Sequence, residues 1–257
     1  MTSGEPAGWG APLYAHALDA ADVGPGTSVL DLGCGTGEFA AAAVARGARV
    51  VGVDSDATAV KIASASVGPA RFEVGDAHDL GPVDALGGPF AVVAAMQLLT
   101  HVANPLRVLR EASRVAAPGG TVVASVWGRE EECDVGLLGQ ALARWLPQRQ
   151  SPSGRSPSGR SPSGPPTLAD PDRFRKLAWL AGLAVVGVDE VVCPFDYPDE
   201  NALVDPLLAS MIGRTAVVRA GEDAVRAAVR ERLAGHRVDG GGYRLQNLFR
   251  VLVARAP

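Results

Sequence analysis

A short run of glycines directly after a predicted strand places the strongest constraint on how this chain can fold. Residues 29–37 have the sequence Val-Leu-Asp-Leu-Gly-Cys-Gly-Thr-Gly, and the Ala-rich segment 37–46 predicts a helix. Glycine has no Cβ, so a ligand can approach the backbone of such a loop closely. A strand, a glycine loop and a helix in this order are typical of an α/β sheet that binds a ligand at the carboxyl end of the strand.

Acidic residues stand at the ends of three successive predicted strands. Asp31 precedes the glycine loop, Asp54 ends the next strand and Asp76 follows the third. Asp54 comes about 20 residues after the loop, where an acid can accept hydrogen bonds from both ribose hydroxyls. Any one of the three is also typical of an aspartate that caps a loop. Together they favour a ligand site, and Glu38 stands where a dinucleotide-binding fingerprint requires a glycine.

Strand-like and helix-like segments alternate through most of the chain, which predicts a mostly parallel α/β sheet with helices on both faces. Seven strands are predicted, at 28–32, 49–53, 71–74, 90–95, 121–127, 184–192 and 245–254. Helices are predicted at 37–46, 56–66, 171–181, 201–213 and 222–234, and another begins at the N-cap residue Asn104. We expect the helices at 201–213 and 222–234 to form a small lid, because they interrupt the path to the last strand.

A repetitive segment divides the chain. The pentapeptide Ser-Pro-Ser-Gly-Arg occurs at 151–155 and 156–160, and Ser-Pro-Ser-Gly follows at 161–164. These residue types cannot build a hydrophobic core, so 148–166 is predicted to be a disordered insertion. The first part, 1–147, would hold an N-terminal helix and the ligand-binding core. The last part, 167–257, would complete the sheet and carry the helical lid at about 195–240.

Composition argues against several classes of protein. The net charge of −4 disfavours nucleic-acid binding, which usually needs a basic face. The three cysteines, Cys34, Cys133 and Cys193, form no CxxC pair, so neither a disulfide framework nor a metal site is expected. No secretory signal and no apolar run of about 20 residues is visible, which predicts a cytoplasmic protein that does not span a membrane.

Five stretches in the first half of the chain carry a resemblance to a known family. They are VLDLGCGTGEFA, VVGVDSD, VGDAHDL, FAVVAAMQLLTHV and LREASRVAAPGGTVVASVWG, and together they cover residues 27–127. In this order they resemble the class I S-adenosylmethionine-dependent methyltransferases of the type-11, small-molecule subgroup. The resemblance implies a Rossmann-like sheet whose last strand is antiparallel. It also implies S-adenosylmethionine as the cofactor and S-adenosylhomocysteine as the product.

The resemblance implies roles for individual residues in cofactor binding. Asp31 and the glycine loop would hold the methionine part of the cofactor, and Asp54 would bind the ribose hydroxyls. Asp76 would accept a hydrogen bond from the adenine amino group. The full set of expected cofactor-binding residues is Tyr14, Asp31, Gly33, Cys34, Gly35, Gly37, Asp54, Ser55, Asp76, Ala77, Met96 and Gln97.

Residues after the fourth strand are expected on the methyl-transfer side of the site. Met96 and Gln97 would line it, whereas Tyr14 would either close over the cofactor or pack within its own helix layer. His101 is the candidate catalytic base if the acceptor is a hydroxyl, and a His that hydrogen-bonds the loop backbone is the alternative. The candidate substrate-binding residues, each also explained by packing, are Trp127, Phe195, Tyr197, Met211, Tyr243 and Asn247.

These features predict an enzyme that transfers a methyl group to an O, N or C atom of a small molecule, with a secondary metabolite as one candidate acceptor. The richness in Ala and Arg is typical of a GC-rich bacterial genome, and the expected assembly is a monomer or a homodimer. A protein that binds the cofactor but catalyses a non-methylating cyclisation or rearrangement could carry the same features. A nicotinamide oxidoreductase is disfavoured, because no tyrosine is followed by a lysine four residues later.

Overall fold

One seven-stranded sheet organises the fold in the computed structural model, which describes residues 5–147 and 168–257. The repetitive segment predicted at 148–166 lies outside the described residues. The strands are β1 Ser28–Leu32, β2 Arg49–Asp54, β3 Arg71–Val74, β4 Phe90–Met96, β5 Ala116–Trp127, β6 Ala184–Tyr197 and β7 Tyr243–Arg255. Their order in the sheet is β3-β2-β1-β4-β5-β7-β6.

Helices follow most of the strands in the chain. They are α1 Ala11–Ala20, α2 Glu38–Ala45, α3 Ala57–Ser66, α4 Val83–Leu86, α5 Pro105–Val115, α6 Gly136–Leu142, α7 Pro171–Leu180, α8 Glu200–Ala209, α9 Met211–Ala220 and α10 Glu222–Arg232. Asn104 is the N-cap of α5, as predicted, and its side chain accepts a 3.0 Å hydrogen bond from the amide of Arg107. None of the helices formed by the described residues has the length and apolar character that a bilayer-spanning helix requires.

The strand pairing confirms a mostly parallel sheet. β1 pairs in parallel with β2 and β4, β3 pairs in parallel with β2, and β4 pairs in parallel with β5. β7 pairs antiparallel with β5, from Thr121 opposite Arg255 to Trp127 opposite Phe249. This antiparallel last strand is the feature that the family resemblance implied.

The strand order reverses between β1 and β4. From β1 the chain first builds outward through β2 and β3, and it then returns to place β4 on the other side of β1. A crevice forms at such a switch point, beyond the carboxyl ends of the two strands. Asp31 pairs in register with Gly52 on one side and with Ala94 on the other. The glycine loop therefore begins at the switch point.

The chain divides into two compact units. The sheet unit comprises Gly10–Arg129, Thr167–Cys193 and Leu248–Pro257. Its core contains apolar side chains from the sheet and from the helices α5 and α7. Fully buried examples are Leu30, Val93, Leu109, Phe174 and Leu252. Burial of this kind contributes about 1.5–3 kcal/mol for each large apolar side chain.

The helical unit comprises Met1–Trp9, Glu130–Pro166 and Pro194–Asn247. In its described part, α6, α9 and α10 pack together and bury apolar side chains such as Leu142, Val225 and Val229. The lid predicted at about 195–240 falls within this unit, and its role as a lid stays a prediction.

The predicted helix at 201–213 is wrong, because the chain forms two helices there. α8 ends at Ala209 and α9 begins at Met211. Ser210 separates them: its Oγ accepts a 3.1 Å hydrogen bond from the amide of Gly213 and donates one of 2.6 Å to the carbonyl of Leu207. Ser210 therefore ends α8 and caps α9, so the chain forms two helices although the apolar pattern continues.

Other elements also differ from the sequence-based expectation: α4 was not predicted, β6 extends past 192 to Tyr197, and β7 begins at Tyr243 rather than at 245. β5 begins at Ala116 rather than at Thr121, because Ala116 already pairs with Phe90 before the glycine turn. The helix α6 was not predicted; its seven residues include two glycines, which have low helix propensity.

Candidate functional site

The glycine loop, residues 33–37, is fastened to the end of β2. The backbone amides of Gly33 and Cys34 both donate to the carbonyl of Val53, at 2.8 and 3.1 Å. The amide of Gly35 donates to Oδ2 of Asp54 at 2.8 Å. The loop is therefore held by the neighbouring strand before any ligand arrives.

Two of the glycines are required for different reasons. Gly33 has a φ of 68°, and a Cβ there would lie 2.6 Å from a methyl group of Leu98, so close packing excludes a side chain. Gly35 has a φ of 53°, but no atom lies within 4 Å of the position that its Cβ would take. The backbone of Gly35 thus faces open space, where a ligand can approach it.

Asp31 is the most heavily buried acid of the site. It is 1% exposed, and its Oδ2 has no hydrogen-bond partner among the described residues. Burial raises the pKa of Asp31 well above its usual value, and the neighbouring carboxylates of Asp54 and Glu38 raise it further. A cationic ligand group would supply the missing partner for this carboxyl group and would lower the cost of its charge.

Cys34 lies inside the glycine loop and is buried. Burial raises the pKa of its thiol, and the charges of Asp31 and Asp54 raise it further. The thiol therefore stays neutral and behaves as a small apolar side chain.

Asp54 connects the loop to the helix that follows β2. Its Oδ1 accepts a 2.9 Å hydrogen bond from the amide of Asp56, while its Oδ2 holds Gly35. The residue is half-buried, and each carboxylate oxygen retains a second acceptor site. Ser55 beside it is exposed.

Asp76 is held by a residue that the sequence did not single out. Its Oδ1 accepts hydrogen bonds from the amide of His78 at 2.8 Å and from Nδ1 of the same residue at 2.7 Å. These bonds, the one from the amide first, lower the pKa of Asp76. Nε2 of His78 lies 3.4 Å from the amide of Asn104, which places it as the acceptor there. His78 thus links the end of β3 to the start of α5.

The last residue of β4, Met96, and the residue after it, Gln97, are both predicted site residues. Met96 is buried, and Gln97 has a φ of 56°, the left-handed region that favours glycine. The amide and Nε2 of Gln97 both donate to Oγ of Ser125, at 3.1 and 2.9 Å. Ser125 is fully buried on β5, and the sequence had not indicated a role for it.

Tyr14 and His101 both belong to the sheet unit. The ring of Tyr14 packs edge-on against Phe39 of α2, with 5.8 Å between the ring centroids. His101 is exposed in the turn after β4, where its backbone amide donates to the carbonyl of Leu98 at 2.9 Å. Ala77 is half-buried next to Asp76, and Gly37 is the N-cap of α2.

The predicted substrate-binding residues divide between the units. Trp127 belongs to the sheet unit, where its ring lies 4.4 Å from that of Phe249. In the helical unit, Asn247 is fully buried, and its side chain binds the backbone of Val135 and Leu245. Met211 has the opposite environment, with 80% of its surface exposed.

Three aromatic candidates are buried in the helical unit. Phe195 contacts Trp9 with 5.2 Å between the ring centroids. Burial, with a smaller effect of Glu5, raises the pKa of Tyr197 to about 12. The hydroxyl of Tyr243 is buried and has no hydrogen-bond partner among the described residues. Contact between these side chains and a substrate stays a prediction.

The described residues contain no group of three or more His, Cys, Asp or Glu side chains that could hold a metal ion. The candidate site instead offers hydrogen-bond acceptors, which are backbone groups and carboxylates at the ends of three adjacent strands.

Comparison with known proteins identifies the core of the chain. Residues 30–124 match the model of a methyltransferase domain family. A ubiquinone biosynthesis O-methyltransferase of Pseudomonas aeruginosa is 33% identical over 124 residues, which are 46% of this chain and 52% of that protein. The chain spans about half the length, or less, of the curated relatives it matches.

Solved structures share the fold at low sequence identity. A putative methyltransferase from Bacillus halodurans has a TM-score of 0.60 at 17% identity, and the match covers 95% of this chain and 98% of that one. The [4+2]-cyclase SpnF has a TM-score of 0.56 at 21% identity, with 95% and 80% covered. These likenesses show a common architecture.

Proposed function

We propose that residues 30–124, which match a methyltransferase domain family, form a class I S-adenosylmethionine-dependent methyltransferase domain, and that the chain transfers the methyl group of this cofactor to a hydroxyl oxygen of a small molecule. The oxygen is favoured because the curated relatives that the chain matches include O-methyltransferases. A secondary metabolite is one candidate class of acceptor.

The observation that carries the proposal is the unpaired carboxyl oxygen of Asp31 beneath the glycine loop. The residue is buried at the switch point of the sheet, and its Oδ2 has no hydrogen-bond partner among the described residues. The α-ammonium group of the cofactor has the charge and the donors that this oxygen requires. The bare backbone of Gly35 allows the same ligand to come close. When bound, S-adenosylmethionine supplies a methyl group that its sulfonium has already activated.

The other acids would bind the nucleoside end. Asp54 has a free acceptor site on each oxygen, which suits the two ribose hydroxyls. Asp76 is exposed, and His78 lowers the pKa of its carboxyl group, so it can accept from the adenine amino group beside Ala77. Met96 and Gln97 would line the methyl-transfer side.

Methyl transfer needs little further chemistry from the protein. The acceptor atom must be held about 3 Å from the methyl carbon and in line with the bond that breaks. His101 is exposed after β4 and would take the hydroxyl proton.

Two measurements test the proposal. Calorimetry should show binding of S-adenosylhomocysteine to the purified chain. Mass spectrometry should then show acceptors from a panel of phenols and alcohols gaining one methyl group, with S-adenosylhomocysteine formed in equal amount. No binding heat with either form of the cofactor would refute the proposal.

A second candidate is a cofactor-dependent cyclisation or rearrangement without methyl transfer. The fold shared with a [4+2]-cyclase makes this alternative worth testing. It predicts a product of unchanged mass and no S-adenosylhomocysteine, so the same mass measurement separates the two functions.

A further inference from the structure

Gln97 holds a backbone conformation that its side chain disfavours. In the described chain, Asp22 and Gln97 are the non-glycine residues with a positive φ, and Gln97 lies directly after β4 at the switch point. Such conformations persist where the surroundings enforce them, and they concentrate at functional sites. The enforcing contacts around Gln97 are therefore informative.

Ser125 supplies those contacts. Its hydroxyl oxygen accepts from the Gln97 amide at 3.1 Å and from Nε2 of Gln97 at 2.9 Å. Ser125 is fully buried, and it stands opposite Met96 in the pairing of β4 with β5. One buried hydroxyl thus fixes both the main chain and the side-chain amide of Gln97.

These two hydrogen bonds to Ser125, called the clamp below, leave one polar atom of Gln97 without a partner among the described residues. Oε1 is buried and accepts no hydrogen bond from any described residue. The next residue, Leu98, packs against Gly33 of the glycine loop, so this part of the chain lies beside the cofactor site. A buried oxygen without a donor is costly, and a ligand that brings the donor removes the cost.

We propose that Oε1 of Gln97 accepts a hydrogen bond from the hydroxyl group of the methyl acceptor, and that the acceptor is a phenol. This inference rests on the proposed function. The cofactor already has a charged partner in Asp31, and a neutral amide oxygen suits a neutral hydroxyl.

Gln97 is a positioning residue in this scheme, because a carboxamide does not take up a proton. The phenol oxygen forms a bond to the methyl carbon, the bond from that carbon to sulfur breaks, and its electron pair stays on sulfur. The hydroxyl proton, which the bound substrate donates to Oε1 of Gln97, leaves that hydrogen bond as the methyl group arrives and passes to the imidazole of His101.

The test compares two probes on two proteins. Catechol carries hydroxyl donors, and 1,2-dimethoxybenzene has the same ring with the donors removed. We expect the wild-type chain, saturated with S-adenosylhomocysteine, to bind catechol about tenfold more tightly than 1,2-dimethoxybenzene in NMR titrations. Gln97→Met removes the oxygen at similar side-chain length and should reduce this preference to about twofold or less.

Two further variants control for folding and for chemistry. Gln97→Gly relieves the backbone strain, so it should fold and still lose the preference for catechol. Gln97→Glu keeps an acceptor oxygen and should retain the preference. Because Gln97 is also an expected cofactor-binding residue, every preference is measured at saturating S-adenosylhomocysteine, so a change in cofactor affinity does not enter the comparison.

Three results would overturn the inference: no catechol binding by the wild-type complex, an undiminished preference in Gln97→Met, or a loss of S-adenosylhomocysteine affinity in Gln97→Met that exceeds the loss of preference. Failure of the proposed function is distinct, because S-adenosylhomocysteine itself would then not bind to the wild-type chain.

Discussion

Oδ2 of Asp54, at the end of β2, accepts a 2.8 Å hydrogen bond from the backbone amide of Gly35 in the glycine loop. The acid proposed to bind the ribose therefore also orders the loop proposed to hold the methionine part. A single carboxylate couples the two halves of the cofactor site.

Replacement of Asp54 by alanine should consequently weaken cofactor binding more than the loss of a single ligand contact would. We expect an affinity loss of about 1–3 kcal/mol, because charge-assisted hydrogen bonds are lost and the loop is loosened. Isothermal titration calorimetry with S-adenosylhomocysteine measures it. Asp56→Ala is the matched control: Asp56 caps α3 through the amide of Thr58, so its loss should cost about 1 kcal/mol of stability and leave affinity unchanged. Equal affinities for the wild type and Asp54→Ala would contradict the ribose role.

His78 should lower the pKa of Asp76. In His78→Ala the ring contact with Asp76 is lost but the backbone amide remains, so the pKa of Asp76 should rise only part of the way to its usual value. NMR titration of the side-chain carboxyl carbon follows this pKa directly. We expect the affinity for S-adenosylhomocysteine to fall only a few-fold, since the pair is exposed. An unchanged pKa of Asp76 would show that the ring does not matter.

Much of the sheet could be predicted because its signals are local. The bounds of β1 and β3 match the prediction, and each strand ends directly before a glycine, Gly33 or Gly75. The helices α8 and α9 were harder to predict from the sequence. Met211 and Ile212 continue the apolar pattern of α8 across Ser210, so a single helix was predicted where a serine cap makes two. A capping contact of this kind, although local, is not visible as a period in the sequence.

The same contrast holds for the candidate site. Asp31 and Asp54 stand at strand ends, and parallel strands bring their carboxyl ends to one edge. Ser125 lies 28 residues after Gln97, so only the pairing of β4 with β5 reveals the clamp. Asn247 was predicted to bind the substrate. Its side chain instead hydrogen-bonds to the backbone of Val135 and Leu245 in its own unit, which the sequence pattern does not indicate.

The break between α8 and α9 should depend on Ser210. Ser210→Ala removes the hydroxyl that caps α9, and we expect the free energy of unfolding to fall by about 1 kcal/mol. Urea denaturation measures this difference. Ser64→Ala is the control, because Ser64 bonds the carbonyl of Val60 inside α3 and caps no helix. Its removal should be neutral or slightly stabilising. A loss as large in Ser64→Ala would mean that capping is not the cause.

His101 should matter for turnover and not for cofactor affinity. It is exposed in the turn after β4, and no cofactor role is assigned to it. His101→Ala should slow methyl transfer to a phenol by about 100-fold, the usual contribution of a general base. The initial rate of S-adenosylhomocysteine formation measures this, and calorimetry checks that binding is intact. Full activity in the variant would remove His101 from the mechanism.

Asp31 should lower the free energy of unfolding of the free protein, although it favours binding of the cofactor. Burial first, and then Asp54 and Glu38, raise the pKa of its carboxyl group. The folded chain therefore keeps the proton to a higher pH than the unfolded chain does. As pH rises through the window between the usual and the raised pKa, the unfolded chain alone releases its proton, so the free energy of unfolding falls. Asp31→Asn should remove this fall and stabilise the free protein near neutral pH by about 1–3 kcal/mol.

Cofactor binding should show the opposite dependence on pH. The α-ammonium group pairs with the ionised form of Asp31, so the affinity for S-adenosylhomocysteine should increase as pH rises through the range between the usual and the raised pKa of Asp31. In Asp31→Asn the affinity should be lower and nearly constant over this range. Glu38→Gln removes one charge that raises the pKa of Asp31, so its affinity profile should move to lower pH. Calorimetry across this range would contradict the assignment if Asp31→Asn kept the wild-type profile, because the titrating group would then lie elsewhere.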